Sequence, residues 1–483
     1  MFDGLAEKLA ERSFFIYKSS LRTIDLGSSL FVAVKDGVKF VGLVQSKDVV
    51  SLKDKIDIGN IKLVSGEYVS VYPFNWYNYL ILKEFLPISP VCCDKSSSFG
   101  TGDRLGMVTA AHLEADIRYP VFPIIAQQSP RELERTNRDF KDVLLKAVIG
   151  VLETGYSGSF GADADHIKDE KRFMEGVEAG FSMYTLDVSD DLQDISKLSD
   201  SEIAEKAKSL ADESKKIISD FSGKTFAIPE GEDYIVTEGE LVKSALVYEQ
   251  SMRKAVKFYT MAKTRINALD LEVSIDEGSR DTTAEDHIFV AEFLHRNGVD
   301  FRSLAPKFPG EFQKAVDYRG DFDKLNRSFN VHAEIARQMK GYRLSMHSGS
   351  DKFSVYKMFG KATRGNFHIK TSGTSWLQAV KLVCYANPNL FSELYEICIE
   401  TLPESKKAYH VDITQEHFPT ELPDDIRAFY ANPDVQQLFH ISYGALLDRK
   451  KDDIIQTLIE NEQDHYQFVT DHINKHLQLL FED

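Results

Sequence analysis

The stretch LDLEVSIDE, residues 269–277, decides the fold of this chain. Successive side chains of a β-strand point to opposite faces, so Glu272, Ser274 and Asp276 share one face and the aliphatic residues between them share the other. The aliphatic face suits a position under a layer of helices, which places the polar face inside a barrel. An unpaired carboxylate buried there would cost several kcal/mol, so the stretch calls for a cation nearby.

Seven other stretches share this design, in which a short apolar run ends in polar residues and is followed by a helical pattern. In chain order the eight runs are KSSSFGTGD, VFPIIAQQS, SGSFGADADH, FSMYTLDVSD, LDLEVSIDE, DFRSLAPKF, YRLSMHSGSDK and NFHIKTSGTS. Several of the intervening amphipathic segments close with glycine, as a helix C-cap favours. Eight strand-helix units predict an α/β protein with a (β/α)8 TIM-type barrel over residues 90–386.

The segments around the barrel have patterns of their own. Residues 1–89 predict an N-terminal α+β segment, in which SLFVAVKDGVKFVGLV (residues 29–44) forms a hairpin because its Asp-Gly pair supplies a turn with positive φ. Residues 192–268 contain two or three helical patterns where one would suffice, which predicts a helical insertion beside the barrel mouth. Residues 387–483 predict a mostly helical C-terminal extension on the barrel exterior.

Charge and composition limit the partners. The formal net charge is −17, and binding nucleic acid or an anionic membrane takes clustered Lys and Arg, so we expect neither. An acidic small molecule is still a candidate ligand if a local cationic pocket exists. The four cysteines lack metal-ligand spacing, and the chain shows no signal peptide or membrane span, which predicts reduced thiols and a cytoplasmic location. A homo-oligomer is left open.

Polar residues at the strand ends form the candidate site, because active sites of (β/α)8 barrels lie at that face. FGADADHIK (residues 160–168) ends the third strand with two aspartates and a histidine. Imidazoles and carboxylates converging from several strands suit a divalent transition metal such as Zn, Mn, Ni or Co better than Ca or Mg. The predicted ligands are His166, Glu272 and His347, with Asp165 or His368 as a fourth. The alternative for FGADADHIK is a polar turn, and a single histidine is more often a hydrogen-bonded core or surface residue.

Other strand-end residues are candidates for holding a substrate. They are Asp103, Arg104, Gln127, Gln128, Arg131, Lys307, Lys352 and Lys370. The lysines and arginines suit a carboxylate, because charged hydrogen bonds are the strong ones. Arg131 follows Pro130 at a predicted helix start, so it either reaches a substrate anion or stays on the surface. GTGDRLG (residues 100–106) resembles a dinucleotide-binding glycine loop, but its spacing differs by one residue and favours a plain loop.

Six motifs together carry a family resemblance. They are IIAQQSPRELERT, FGADADH, LEVSIDE, LAPKFPGEFQKAVDY, LSMHSGSDKFSVY and FHIKTSGTSWLQA. With them the chain resembles the tagaturonate epimerase family, related to tagatose 4-epimerases, from about residue 95 past residue 410, including KAYHVDI. The resemblance implies interconversion of D-tagaturonate and D-fructuronate with a divalent metal required. Because some relatives act on neutral sugars, the resemblance also makes tagatose and fructose candidate substrates.

The implied reaction constrains the chemistry. The two ketouronates differ at the carbinol carbon β to the ketone, whose C–H the carbonyl does not acidify, so deprotonation and reprotonation cannot invert it. Retro-aldol cleavage and re-addition can. A carboxylate would take the hydroxyl proton, with Asp163 and Asp276 as candidate base and acid in either order, and a metal would stabilise the enediolate. The alternatives are a metal-dependent aldose-ketose isomerase and a non-catalytic sugar-binding barrel, which has little use for so many ionisable groups in one mouth.

Overall fold

The fold is built from fifteen described strands, eight of which close into a central barrel. The computed structural model describes residues 6–7, 9–25, 28–45, 63–64, 68–229, 231–278, 280–409 and 411–482, so His410 of the KAYHVDI motif lies outside the described residues. The strands are β1 (Phe15–Asp25), β2 (Ser28–Lys35), β3 (Val38–Gln45), β4 (Leu63–Val64), β5 (Tyr68–Pro73), β6 (Ser98–Thr101), β7 (Phe122–Gln128), β8 (Gly161–Ile167), β9 (Met183–Asp187), β10 (Thr225–Phe226), β11 (Tyr234–Ile235), β12 (Asp270–Ser274), β13 (Ser303–Ala305), β14 (Arg343–Met346) and β15 (Phe367–Thr371).

The barrel contains β6 to β9 and β12 to β15 in sequence order, with each strand parallel to its neighbours and β15 pairing with β6 to close the ring. All eight strands lie in the eight predicted runs except for Ile167, the last residue of β8, so the predicted (β/α)8 fold is confirmed. The alternation in LDLEVSIDE explains the layering. Leu271, Val273 and Ile275 belong to the main hydrophobic core, while Glu272 lies inside the barrel, fully buried.

Helices follow the barrel strands and cover their outer faces. The helices of the described chain are α1 (Trp76–Leu82), α2 (Thr109–Asp116), α3 (Pro130–Thr136), α4 (Phe140–Thr154), α5 (Glu170–Ala179), α6 (Asp200–Ala207), α7 (Asp212–Phe221), α8 (Glu238–Lys263), α9 (Ala284–Arg296), α10 (Phe322–Gln338), α11 (Tyr356–Thr363), α12 (Thr374–Ala386), α13 (Pro388–Ser405), α14 (Ile426–Tyr430), α15 (Pro433–Ile441), α16 (Tyr443–Glu460) and α17 (Glu462–Leu480). Local sequence sets their ends: Ser129 and Glu132 form a capping box at α3. Gly155 closes α4 at φ 73°, a conformation that glycine adopts without strain.

The N-terminal segment forms a five-stranded antiparallel sheet in the order β1-β2-β3-β5-β4. The predicted hairpin is present, because β2 and β3 pair in register from Ser28–Gln45 to Lys35–Val38 around Asp36 and Gly37. Both turn residues have positive φ, 49° and 73°. The β1 strand and the sheet behind it rest on α4, so this segment braces the outside of the barrel.

Three helices, α6 to α8, lie between β9 and β12, together with a small β10-β11 hairpin that the helical pattern did not predict. The C-terminal helix α17 packs against α2, α11 and α12 on the barrel exterior. Within the described chain, none of the helices has the combination of length and apolarity needed to cross a membrane.

Candidate active site

A cavity of about 840 Å3 opens at the carboxyl ends of the barrel strands. Its wall includes His166 from the end of β8, Asp276 from just beyond β12, His347 from just beyond β14 and Lys370 from β15. The cavity therefore lies where (β/α)8 enzymes hold their substrates.

Two histidines and one aspartate of the cavity wall form a compact group. His166, Asp276 and His347 each offer a ligand atom, and these atoms lie within 4.8 Å of one another. His347 Nδ1 is 3.2 Å from Asp276 Oδ1, yet this nitrogen is buried without a hydrogen bond to any described residue. Two imidazoles and a carboxylate in this arrangement are a donor set that suits a transition-metal ion.

A buried carboxylate holds the other nitrogen of each imidazole. Asp165 Oδ1 accepts a hydrogen bond from His166 Nδ1 at 2.6 Å, and Glu272 Oε1 accepts one from His347 Nε2 at 2.6 Å. Metal-binding histidines typically donate their second N–H to a carboxylate in this way, which fixes the ring and the tautomer. One nitrogen of each ring is thus held by a carboxylate, which leaves the other nitrogen available as a ligand.

Local backbone geometry produces the position of His166. The pairing of β8 with β9 shifts by one residue between Ala164 and Ile167, a β-bulge, and His166 has φ 56°. A bulge at a barrel rim redirects a side chain, and a positive φ outside glycine is a strain found at functional sites. FGADADHIK therefore aims His166 into the cavity. On the opposite side, Ser274 donates a hydrogen bond to Asp276 and fixes its carboxylate.

Lys370 lies beneath the histidine group, which consists of His166, Asp276 and His347, and contacts three carboxylates. Its ammonium lies 2.8 Å from Asp163 Oδ2, 2.6 Å from Asp165 Oδ1 and 3.2 Å from Glu272 Oε1. Thr185 completes the cluster, because its hydroxyl contacts Lys370 and both oxygens of Asp163. These three carboxylates together with Asp276 in the adjacent group carry four negative charges against the one positive charge of Lys370, which leaves a formal charge of −3 when the imidazoles are neutral.

The electrostatics of this cluster favour a bound cation. Burial by itself lowers the pKa of His347, but Asp276 and Glu272 outweigh it and raise the pKa to about 10. Burial also opposes the charged form of His166, yet Asp165 raises its pKa above the ordinary value. The same negative field that holds protons on both rings attracts a divalent cation. Burial raises the pKa of Asp163 to about 6 against the opposing pull of Lys370.

Several predicted site residues meet in the cavity. His166, His347, Asp276 and Lys370 lie together, and Arg104, Gln127 and Arg131 line the same wall. Glu272 and Asp163 lie one layer deeper, on Lys370. The geometry places Asp276, rather than the predicted Glu272, beside both histidines. His368 lies below the group, where its Nδ1 bonds to Ser98 at 2.8 Å.

Four predicted substrate-binding residues lie outside the cavity wall and have structural partners. Asp103 accepts hydrogen bonds from the backbone of Gly106 and Val108 in its own loop, as the plain-loop interpretation of GTGDRLG requires. Gln128 donates to Glu132. Lys352 is buried on three backbone carbonyls. Lys307 donates to the carbonyl of Gly278 and lines a smaller adjoining cavity of about 310 Å3.

Lys314 is a cavity residue that the sequence did not single out. It lies in the long connection between β13 and α10, nine residues beyond the end of the strand. The strand-end rule does not reach that far. The only sequence signal was its place in LAPKFPGEFQKAVDY.

The barrel with its ionisable groups gathered at the strand ends defines the class of protein, an enzyme that acts on a small polar molecule. The model of the tagaturonate epimerase family matches residues 17–480. A tagaturonate/fructuronate epimerase of Thermotoga maritima is 40% identical over 412 residues, which are 84% of this chain and 85% of that protein. The chain belongs to the tagaturonate epimerase family and is an epimerase.

Solved structures agree with this assignment. The native crystal structure of the fructuronate-tagaturonate epimerase UxaE from Cohnella laeviribosi is 34% identical, with a TM-score of 0.90 over 99% of both chains. A complex of the same enzyme with one glycerol gives a TM-score of 0.91 at 33% identity, again over 99% of both chains. The similarity therefore extends beyond the barrel to the N-terminal sheet and the C-terminal helices.

Proposed function

We propose that the protein interconverts D-tagaturonate and D-fructuronate, using a divalent metal held by His166, Asp276 and His347. The single observation that carries the proposal is the group of two imidazoles and one carboxylate in the cavity. Family membership supports the substrate pair, because relatives are named for it. The neutral ketohexoses tagatose and fructose are the secondary candidates.

The donor set of this group fits a transition metal. Each imidazole has its second nitrogen fixed by a buried carboxylate, and His347 Nδ1 is a buried nitrogen without a hydrogen bond to the described residues. Nitrogen-rich coordination favours Zn, Mn, Ni or Co over Ca or Mg. Glu272, predicted as a ligand from sequence, acts in this proposal as the residue that orients His347. When bound, the cation supplies positive charge beside the ketone fragment.

The residues below the group can store the proton that the reaction displaces. In the retro-aldol direction, the substrate hydroxyl loses its proton and becomes an aldehyde, while the electron pair of the broken carbon-carbon bond passes to the ketone fragment as an enediolate. Lys370 lines the cavity and contacts Asp163 at 2.8 Å. The hydroxyl proton moves to Lys370 as Lys370 passes one to Asp163, so the lysine stays charged. After the aldehyde turns and re-adds, the proton returns by the same route.

In this route Asp163 alone serves as base and acid, whereas the sequence predicted that Asp163 and Asp276 share these two roles. Asp163, with a pKa of about 6, accepts and returns a proton near neutrality. Asp276 lies against both imidazoles, so we assign it to the metal rather than to proton transfer.

Incubation with candidate sugars tests the proposal. Purified protein loaded with Zn or Mn is supplied separately with D-tagaturonate, D-fructuronate, D-tagatose and D-fructose, and the products are separated by chromatography. We expect each uronate to yield the other. A protein that leaves both uronates unchanged, or converts either into an aldose, contradicts the proposal, the aldose favouring an isomerase.

A further inference from the structure

The cationic side chains that line the cavity differ in whether they already form ion pairs with carboxylates of the protein. Within the described chain, Arg104 pairs with Glu132 at 3.1 Å and stacks on Tyr443. Lys370 is enclosed by three carboxylates, as described above. The rim cations Lys168, Lys171 and Arg172 each lie within 4 Å of an acidic side chain. These charges are largely neutralised by the protein itself.

Lys314 is different. Its ammonium donates a hydrogen bond to the hydroxyl of Ser348 at 2.9 Å, and no carboxylate of the described chain lies within ion-pair distance of it. The side chain is half-buried in the cavity wall. Burial and the neighbouring charge of Arg131 both lower the pKa of Lys314. An anion beside this ammonium would be stabilised by both cations.

The loop that carries Lys314 is held rigidly. Lys352 donates to the carbonyls of Gln313 and Val316, at 2.9 and 2.7 Å, and to that of Ser350 at 2.9 Å. From helix α15 in the C-terminal extension, Gln437 donates to the carbonyl of Lys314 itself at 2.9 Å. Binding groups held by such supports need little ordering when a ligand arrives. Lys352 is thus a positioning residue for this loop.

A hexuronate needs a second, cationic contact in the cavity, and Lys314 lies on the cavity wall. Ser348, its hydrogen-bond partner, directly follows His347 of the histidine group. In a ketohexuronate the carboxylate is at the opposite end of the carbon chain from the ketone. A ketone beside the histidine group therefore leaves the carboxylate to a cation elsewhere on the cavity wall.

We propose that Lys314, assisted by Arg131, binds the carboxylate of the substrate and sets the preference for uronates over neutral ketohexoses. The inference rests on the proposed function. It also assigns a role during turnover. Retro-aldol cleavage places the carboxylate on the aldehyde fragment, so Lys314 holds that fragment by one end while its aldehyde turns to present the other face.

The test compares Lys314→Met with Lys314→Arg and a matched control, Lys171→Met. Lys171→Met removes the same charge from the cavity rim. In the described chain the one ion pair of Lys171 joins it to Glu175 at 4.0 Å, and its side chain is 82% exposed. Calorimetry measures the Kd of D-fructuronate and D-fructose, and a coupled assay measures turnover of D-fructuronate. Lys307→Met, in the adjoining cavity, tests the rival cation.

We expect Lys314→Met to weaken D-fructuronate binding about 10- to 100-fold, as loss of one charged hydrogen bond implies, and to leave D-fructose binding unchanged. Lys314→Arg should recover part of the loss, and Lys171→Met should resemble the parent. The assignment would be overturned if Lys314→Met weakened the binding of both sugars equally or of neither. It would also be overturned if Lys307→Met, instead of Lys314→Met, selectively weakened the binding of D-fructuronate. If the parent binds D-fructuronate without converting it, the proposed function fails, while the comparison of Kd values still decides the role of Lys314.

Discussion

Replacing Glu272 with glutamine separates two accounts of the histidine group. Glu272 is fully buried and accepts the hydrogen bond from His347 Nε2 at 2.6 Å, whereas the Asp276 side chain is 18% exposed and faces the cavity. If Glu272 orients the ring and Asp276 binds the ion, the two substitutions Glu272→Gln and Asp276→Asn should differ in size. Glutamine preserves the volume and one acceptor oxygen, but it removes the charge and replaces the other oxygen with an NH2 donor.

The expected magnitudes follow from these roles. Loss of a carboxylate that orients a ligating histidine typically lowers metal affinity about 10- to 100-fold, or ~1.4–2.7 kcal/mol. Loss of the charge on a direct ligand should cost more, so we expect Asp276→Asn to lower the affinity beyond that range. Both variants should fold, because Lys370 keeps its contacts with Asp163 at 2.8 Å and Asp165 at 2.6 Å.

The assay is a competition titration. Parent and variants are stripped of metal, and Zn or Mn is titrated against a chromophoric chelator, with circular dichroism as the control for folding. The reasoning is refuted if Glu272→Gln loses metal as completely as expected for a ligand while Asp276→Asn stays near the parent. Glu272 would then be the third ligand, as the sequence predicted.

Three further substitutions test other parts of the structure. Asp163→Asn should lower turnover by about 10^2-fold or more at unchanged metal content, since a proton acceptor is lost; a near-normal rate in steady-state assays would remove Asp163 from the mechanism. Lys352→Met leaves three carbonyls without their donor, so the melting temperature should fall. Uronate binding should weaken more than ketohexose binding, because Lys352 supports the loop of Lys314. Equal weakening of both would argue against a positioning role for Lys352. Burial raises the pKa of Asp116, whose two oxygens lack hydrogen bonds to the described residues. The stability that its protonated form provides is fully present below the unfolded pKa of about 4 and is lost as pH rises through the folded pKa. Asp116→Asn should therefore raise the melting temperature relative to the parent increasingly from pH 4 to pH 8, and a pH-independent difference would show that Asp116 does not titrate in this range.

Sequence periodicity was sufficient for the barrel, because inward and outward faces of its strands follow a period of two. LDLEVSIDE shows this most clearly, with its aliphatic residues in the core and Glu272 inside the barrel. The extra β10-β11 hairpin was not predicted, because each of its strands has only two residues. Such short pairings have no periodic pattern to detect.

Depth within the barrel was harder to predict than direction. Glu272 and Asp276 share one face, but Glu272 lies within β12 and Asp276 lies two residues beyond its end. The first lies beneath Lys370, and the second reaches the cavity. Alternation gives the face and not the layer, so it could not tell which carboxylate lies beside both His166 and His347.

Cationic residues were the least predictable part of the site. Lys352 follows a barrel strand as expected of a binding residue, yet the loop after β14 turns its ammonium onto backbone carbonyls. Lys314 lies nine residues beyond the end of β13 and lines the cavity, and hydrogen bonds from Lys352 and Gln437 hold its loop. Both outcomes depend on tertiary hydrogen bonds between distant segments, which no local pattern encodes.

Solvent isotope labelling tests the central claim most directly. The metal-loaded protein is incubated with D-tagaturonate in deuterated water, and the D-fructuronate that forms is analysed by NMR and mass spectrometry. Because carbon-carbon cleavage leaves the C–H bond of the inverted carbon intact, we predict D-fructuronate with no deuterium at that carbon. Stoichiometric deuterium at the inverted carbon would contradict the retro-aldol mechanism, and absence of D-fructuronate would contradict the proposed function.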